Sequence, residues 1–154
     1  MKQRRYQLLV GTGLLMVLAA LFCSNPNSAI DIQIHDTYLV VSSAQLYQLL
    51  AVFSWGIWGI YWLSKNRLRS QKLARLHIGI TVIALIILAF CFYFMDKYGS
   101  GSMHRGYYDV TEESPYEAGR QKVRLLFLVT FGFLVLFQLL LPINILAGLF
   151  RKRH

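Results

Sequence analysis

Long apolar runs separated by short polar segments dominate the chain, and four of them set its architecture. They cover residues 6–23, 44–63, 77–95 and 125–150, and none contains Asp, Glu, Lys or Arg. An α-helix rises about 1.5 Å per residue, so about 20 apolar residues cross a hydrocarbon core of about 30 Å. The pattern predicts an all-α integral membrane protein: a single membrane domain of four transmembrane helices. Two further loops fall at 24–43 and 96–123, the second being the larger non-membrane segment, between helices 3 and 4. Within the fourth run Gln138 stands four residues before Pro142, a spacing that frees the Gln138 carbonyl and predicts a kink.

Charge then orients the helices. Lys2, Arg4 and Arg5 precede the first run, Lys65, Arg67, Arg69, Lys72 and Arg75 fill the short second connection, and Arg151, Lys152 and Arg153 follow the fourth run. Those segments hold eleven of the sixteen basic residues and none of the seven acids. Asp31, Asp36, Asp96, Asp109, Glu112, Glu113 and Glu117 all lie in the two other loops. The positive-inside rule predicts both termini in the cytoplasm and the acidic loops outside. The formal net charge of +9 is therefore mostly topological. Each basic cluster abuts a membrane run, so anionic lipid is the nearer partner and nucleic acid is not expected.

The first run also has the basic start of a signal peptide. Phe22 before Cys23, and Asn27 ahead of Ser28-Ala29, do not fit a small-residue cleavage pattern, so the run is read as a retained helix. Cys23 and Cys91 fall near the outer ends of their helices, where a disulfide fits; two ordinary small buried residues are the preferred reading. Gly99-Ser100-Gly101-Ser102 opens the larger loop as a flexible turn, and Tyr98, Tyr107, Tyr108 and Tyr116 suit a membrane interface. Gln45 and Gln48, then Ser54, Gly56 and Gly59, are polar or small positions suited to helix contacts, within the bundle or with another subunit. No GxSxG, HExxH or phosphate-binding loop is present, and Gly11-Thr12-Gly13 lies inside a membrane run.

One loop segment carries more information than the rest: Ile34-His35-Asp36-Thr37-Tyr38-Leu39-Val40-Val41. It resembles the HDTYxVV signature of subunit I of the haem-copper respiratory oxidases. Two further stretches follow in the family's order. Ala74-Arg75-Leu76-His77-Ile78 is similar to the A-K-I-H-F that opens that subunit's next-to-last helix, and Met103-His104-Arg105-Gly106-Tyr107-Tyr108-Asp109 to its M-P-R-R-Y-Y-D loop. The charge pattern assigns these three stretches to the same sides of the membrane as in the family. The resemblance implies that residues 31 to about 150 correspond to helices ten to twelve of subunit I, with the first run standing where helix nine would be.

The departures define what such a chain can do. In the family the signature continues into A-H-F-H, whose histidines ligate the haems; here those positions read Ser43 and Gln45. Hydroxyl and amide groups are poor iron ligands beside imidazole or thiolate. The resemblance implies that His35 and Asp36 stand where the family holds magnesium or manganese with a carboxylate from another subunit. One imidazole and one carboxylate, with Asp31 as a further oxygen, make only part of a site for a hard cation. The other reading is structural, with Asp36 capping a helix and Thr37 and Tyr38 anchoring it. Arg105 matches one of two propionate-binding arginines, the second being Gly106; its expected partners are Asp109, Glu112 or a lipid headgroup. His77 is expected at the cytoplasmic boundary, within reach of water, in a structural role.

The expected function is thus non-catalytic, and the chain is not expected to be an enzyme. It reads as an oxidase subunit I-like scaffold or accessory subunit in a bacterial cytoplasmic membrane. Its expected partners are lipid and other membrane subunits, those of a respiratory chain among them, or further copies of itself. No cofactor is expected, haem least of all. Two alternatives are a divalent-metal or haem-binding component using His35 and Asp36 with a partner chain, and a sensor acting through the loop 96–123.

Overall fold

The computed structural model describes residues 6–24, 29–34, 37–64, 70–99 and 115–151. Almost all of that chain is helical. In order come α1 (Gln7–Phe22), β1 (Ala29–Ile34), β2 (Thr37–Ser42), α2 (Ser43–Ser64), α3 (Gln71–Gly99), α4 (Pro115–Gln138) and α5 (Leu140–Arg151). Three segments are long and apolar enough to cross a membrane: Ser43–Ser64, Gln71–Met95 and Gln121–Gly148. With 16 residues, α1 spans about 24 Å, shorter than those three.

The expectation of an all-α chain needs one correction. Residues 24–43 are not simply a loop, because β1 and β2 pair antiparallel from Ala29 opposite Ser42 to Ile34 opposite Thr37. Ala-Ile-Asp-Ile-Gln-Ile alternates apolar and polar side chains, the period of a strand rather than a helix. The larger loop also shrinks at both ends, since α3 runs to Gly99 and α4 starts at Pro115. The predicted kink in the fourth run is a break at Leu139. The Leu139 amide bonds the Leu136 carbonyl in a tighter turn, and Pro142 falls in the first turn of α5, where an N–H would have no partner within that helix.

Side-chain pairs fix the packing. Leu9 and Val10 of α1 meet Ser54 and Trp55 of α2, and the Ser54 hydroxyl donates to the Leu9 carbonyl at 2.7 Å. Tyr47, early in α2, donates to Ala89 late in α3, whereas Tyr61, late in α2, meets His77 early in α3. Phe92 of α3 lies against Phe127 of α4, and Thr81 against Gln138. With Tyr6 ahead of α1 stacked on Tyr61 late in α2, α1, α2, α3 and the α4–α5 segment are each antiparallel to the one before. One apolar cluster (Met16, Leu46, Leu50, Leu85, Leu88 and Leu134 at its centre) lies toward the hairpin, with Val41 packed on it. A second, of Leu9, Ile57, Tyr61, Ala74, Ile78 and Leu141, fills the other end.

Outward faces are apolar too, as Leu14, Leu18, Val52, Ile83, Phe90, Leu128 and Leu136 illustrate. In water such a surface would aggregate; in hydrocarbon it is the ordinary finish of a helix. Coverage is uneven. Of the apolar window in Gln121–Gly148 only 17% is buried inside the bundle, against 39% in each of the other two spans.

Candidate functional site

In the hairpin-distal half of the bundle, polar side chains from three helices converge. His77 enters from the second turn of α3 and is 1% exposed, and Tyr61 comes from the last turn of α2 and is 0% exposed. The Tyr61 hydroxyl lies 2.9 Å from His77 Nδ1. On the far side of the ring, His77 Nε2 lies 3.2 Å from Gln138 Oε1, at the last residue of α4. Gln138 Nε2 then reaches Thr81 Oγ1 at 3.5 Å. Thr81 follows His77 by four residues and so shares its face of α3. Tyr6, just before α1, stacks on Tyr61 with ring centroids 5.6 Å apart.

The order of donors follows from these contacts. Gln138 presents its oxygen to His77, so Nε2–H donates; Nδ1 is then the acceptor for the Tyr61 hydroxyl. A neutral imidazole in that tautomer satisfies every group in the row. Both ring nitrogens are thereby engaged, and neither presents a free lone pair to a metal. Among the described residues no Asp, Glu, Lys or Arg is buried. The network can hold helices together and fix a tautomer, and among the described residues it contains no carboxylate.

His77 therefore differs from its expected position at a wetted boundary. It is near the start of its helix, but it faces inward, covered by α2 and by the α4–α5 break. Tyr61, Thr81 and Tyr6 escaped the sequence reading. Tyr61 sits between Trp58 and Trp62 and looks like one more interfacial aromatic, whereas the i, i+4 pair of His77 and Thr81 was a usable signal.

A second polar junction lies beside it. Asn144 of α5, 2% exposed, accepts from the Ser70 amide and donates to the Ser70 carbonyl, each at 3.0 Å. Ser70 in turn caps α3, its hydroxyl accepting from the Leu73 amide.

The positions matched to lost haem ligands have work of their own. Ser42 and Gln45 form a capping box on α2, the Gln45 amide donating to Ser42 Oγ at 3.3 Å and the Ser42 amide to Gln45 Oε1 at 3.2 Å. Ser43 is fully buried next to it. Gln45 and Gln48 are otherwise exposed, and a Cβ built on Gly56 or Gly59 would meet nothing, so these four do not make the expected internal contacts. The close approach is at Gly13 instead, where a Cβ would run into the Trp55 ring at Nε1. Thr37 and Tyr38 open β2, and Asp31 lies in β1. His35, Asp36, Arg105, Tyr107 and Asp109 lie outside the described residues. Among the described residues no group of three or more His, Cys, Asp or Glu could hold a metal ion. Cys23 and Cys91 are free thiols, one exposed and one buried.

No protein-family model matches the chain, and no curated protein or solved structure is significantly similar to it.

Proposed function

We propose that the chain is a non-catalytic membrane scaffold or accessory subunit of the oxidase subunit I-like type, with four spans, both termini in the cytoplasm and other membrane subunits as its partners. The observation that carries this reading is the fourth span, whose window is only 17% buried within its own bundle. Leu125, Leu128, Phe131, Val135 and Leu136 leave a broad apolar face for a neighbouring helix or for lipid. The interior supports the same reading. His77, Gln138, Thr81, Ser54 and Asn144 are all engaged in joining one helix to another. The ordered HDTY, K-I-H-like and M-P-R-R-like stretches favour the oxidase family as the source of the scaffold, in a bacterial cytoplasmic membrane.

The test is native mass spectrometry of the chain released from its own membrane in mild detergent, with crosslinking in the intact membrane beforehand. A defined complex, homomeric or with another membrane protein, is expected, and isolated monomers in both experiments would overturn the reading. A reduced-minus-oxidised visible spectrum of the same sample is expected to be flat. A haem band that stays with the chain and disappears in His77→Ala would replace the scaffold with a redox protein.

A further inference from the structure

The half of α1 farther from the hairpin is only partly covered. It packs on α2 through Leu9 on Ser54 and Gly13 on Trp55. Beside that seam lies a groove of about 500 Å³, bounded by Gln7, Leu8, Gly11, Thr12 and Leu15 of α1 and by Ile86 of α3. Its form follows from the sequence. Residues 8, 11, 12 and 15 recur at helical spacing and share one face. Gly11 adds no side chain to that face, and a Cβ built on it would meet nothing. The Thr12 hydroxyl is turned back on its own helix, donating to the Leu8 carbonyl at 2.8 Å, so it offers the groove no hydrogen. Gln7, the first residue of α1, is exposed at one end. The groove therefore has apolar walls and a polar entrance.

Two cations of α3 stand in line with it. Arg75 and Lys72 precede Ile86 by close to three and four turns at about 3.6 residues per turn, so all three share one face of α3. Gly79 falls on that face too, exposed and with open space over it. Lys72 and Arg75 are exposed in the first two turns. Among the described residues the acids are Asp31 in the hairpin, Asp96 near the end of α3 and Glu117 near the start of α4, all at the opposite end of the spans.

We propose that the groove holds one acyl chain of an anionic phospholipid, with its phosphate over Lys72 and Arg75 and Gln7 at the entrance. Length selects a chain over a helix. From Gln7 to Leu15 the wall rises about 12 Å, within one leaflet of a hydrocarbon core of about 30 Å, whereas a partner helix needs the whole depth. Charge selects the headgroup, because a guanidinium and an ammonium with no acid at their end of the bundle match a phosphate. With the topology proposed above, this is the cytoplasmic leaflet, where anionic lipid is concentrated. The site rests on the membrane residence in that reading and on no protein partner.

Native mass spectrometry tests it on the full chain released from nanodiscs of equal parts phosphatidylglycerol and phosphatidylcholine with the same acyl chains. One retained lipid per chain is expected, with phosphatidylglycerol favoured about tenfold. Gly11→Leu drops a side chain into the groove and should lose the lipid without a lowered unfolding midpoint. Lys72→Gln combined with Arg75→Gln, at exposed positions, should keep the lipid and lose the preference. Excess glycerol phosphate, a headgroup without a chain, should displace nothing. Parent-like retention in Gly11→Leu, a preference that persists in the double variant, or displacement by glycerol phosphate overturns the site. The same spectra give the subunit stoichiometry separately. Monomers carrying one phosphatidylglycerol would end the scaffold reading and leave the groove standing; a defined complex without lipid would do the reverse.

Discussion

The side-chain amide of Asn144 is folded onto the backbone of Ser70, accepting from its N–H and donating to its C=O at 3.0 Å each. One residue of α5 thereby anchors the first turn of α3 across 74 positions of sequence. Replacing Asn144 by Leu keeps the branched outline of the side chain and removes both contacts, leaving the Ser70 N–H without this acceptor while the Ser70 carbonyl keeps the Ala74 amide at 3.2 Å. A loss of about 1–3 kcal/mol is expected, read as a lowered unfolding midpoint in a micelle titration. Asn144→Gln, with its amide displaced by one methylene, should recover only part of it.

Tyr61→Phe isolates the hydroxyl from the ring that carries it. The aromatic stack with Tyr6 survives, and His77 Nδ1 is left as a buried acceptor with no donor. Stability should fall by about 0.5–2 kcal/mol in steric-trapping measurements, the range for one polar contact between membrane helices. The double variant with Gln138→Leu should lose less than the sum of the two single changes, because both act on one imidazole.

Two glycines on α1 should behave oppositely. At Gly13 a methyl group meets the Trp55 ring, which must swing away and release its bond to the Val10 carbonyl. Gly13→Ala is therefore expected to cost about 1–3 kcal/mol and to change the tryptophan emission. Gly11→Ala meets nothing and should be neutral or stabilising by up to about 1 kcal/mol. Equal responses at the two positions would contradict the α1–α2 packing.

Ser42→Ala removes half of the capping box on α2. A cost of about 0.5–2 kcal/mol is expected, with hydrogen exchange rising at the amide of Gln45 and its neighbours. Gln45→His places an imidazole where the oxidase family has one. It should weaken the same cap without producing a haem band, because a six-coordinate iron also needs an opposing ligand.

Much of this molecule was readable as helix because an apolar run of membrane length leaves the backbone no other way to satisfy its hydrogen bonds. The break near Gln138 was equally legible, since Pro142 removes a donor whatever surrounds it. The hairpin was missed although Ile30, Ile32 and Ile34 alternate with Asp31 and Gln33; the neighbouring HDTY motif drew the reading toward a helix start. The site was legible only in pieces. His77 and Gln138 stood out as polar residues in apolar runs, but they are 61 positions apart and nothing local links them. Tyr61 was hidden among tryptophans, and which way a helix turns its face depends on neighbours that periodicity in so uniformly apolar a segment does not reveal. At Ser43 and Gln45 the family comparison suggested a loss, whereas Ser-x-x-Gln is itself a helix-start signal.

The seam between β2 and α2 gives the bundle a mechanical character. Ser42 ends the strand and Ser43 begins the helix, with a cap locking the joint and no slack residue between them. Hairpin and helix thus form one stiff lever, its helical arm about 33 Å long over 22 residues. Tyr61 rides near the tip of that arm. The helix that the hairpin joins directly is thus the one that carries the Tyr61 hydroxyl to His77.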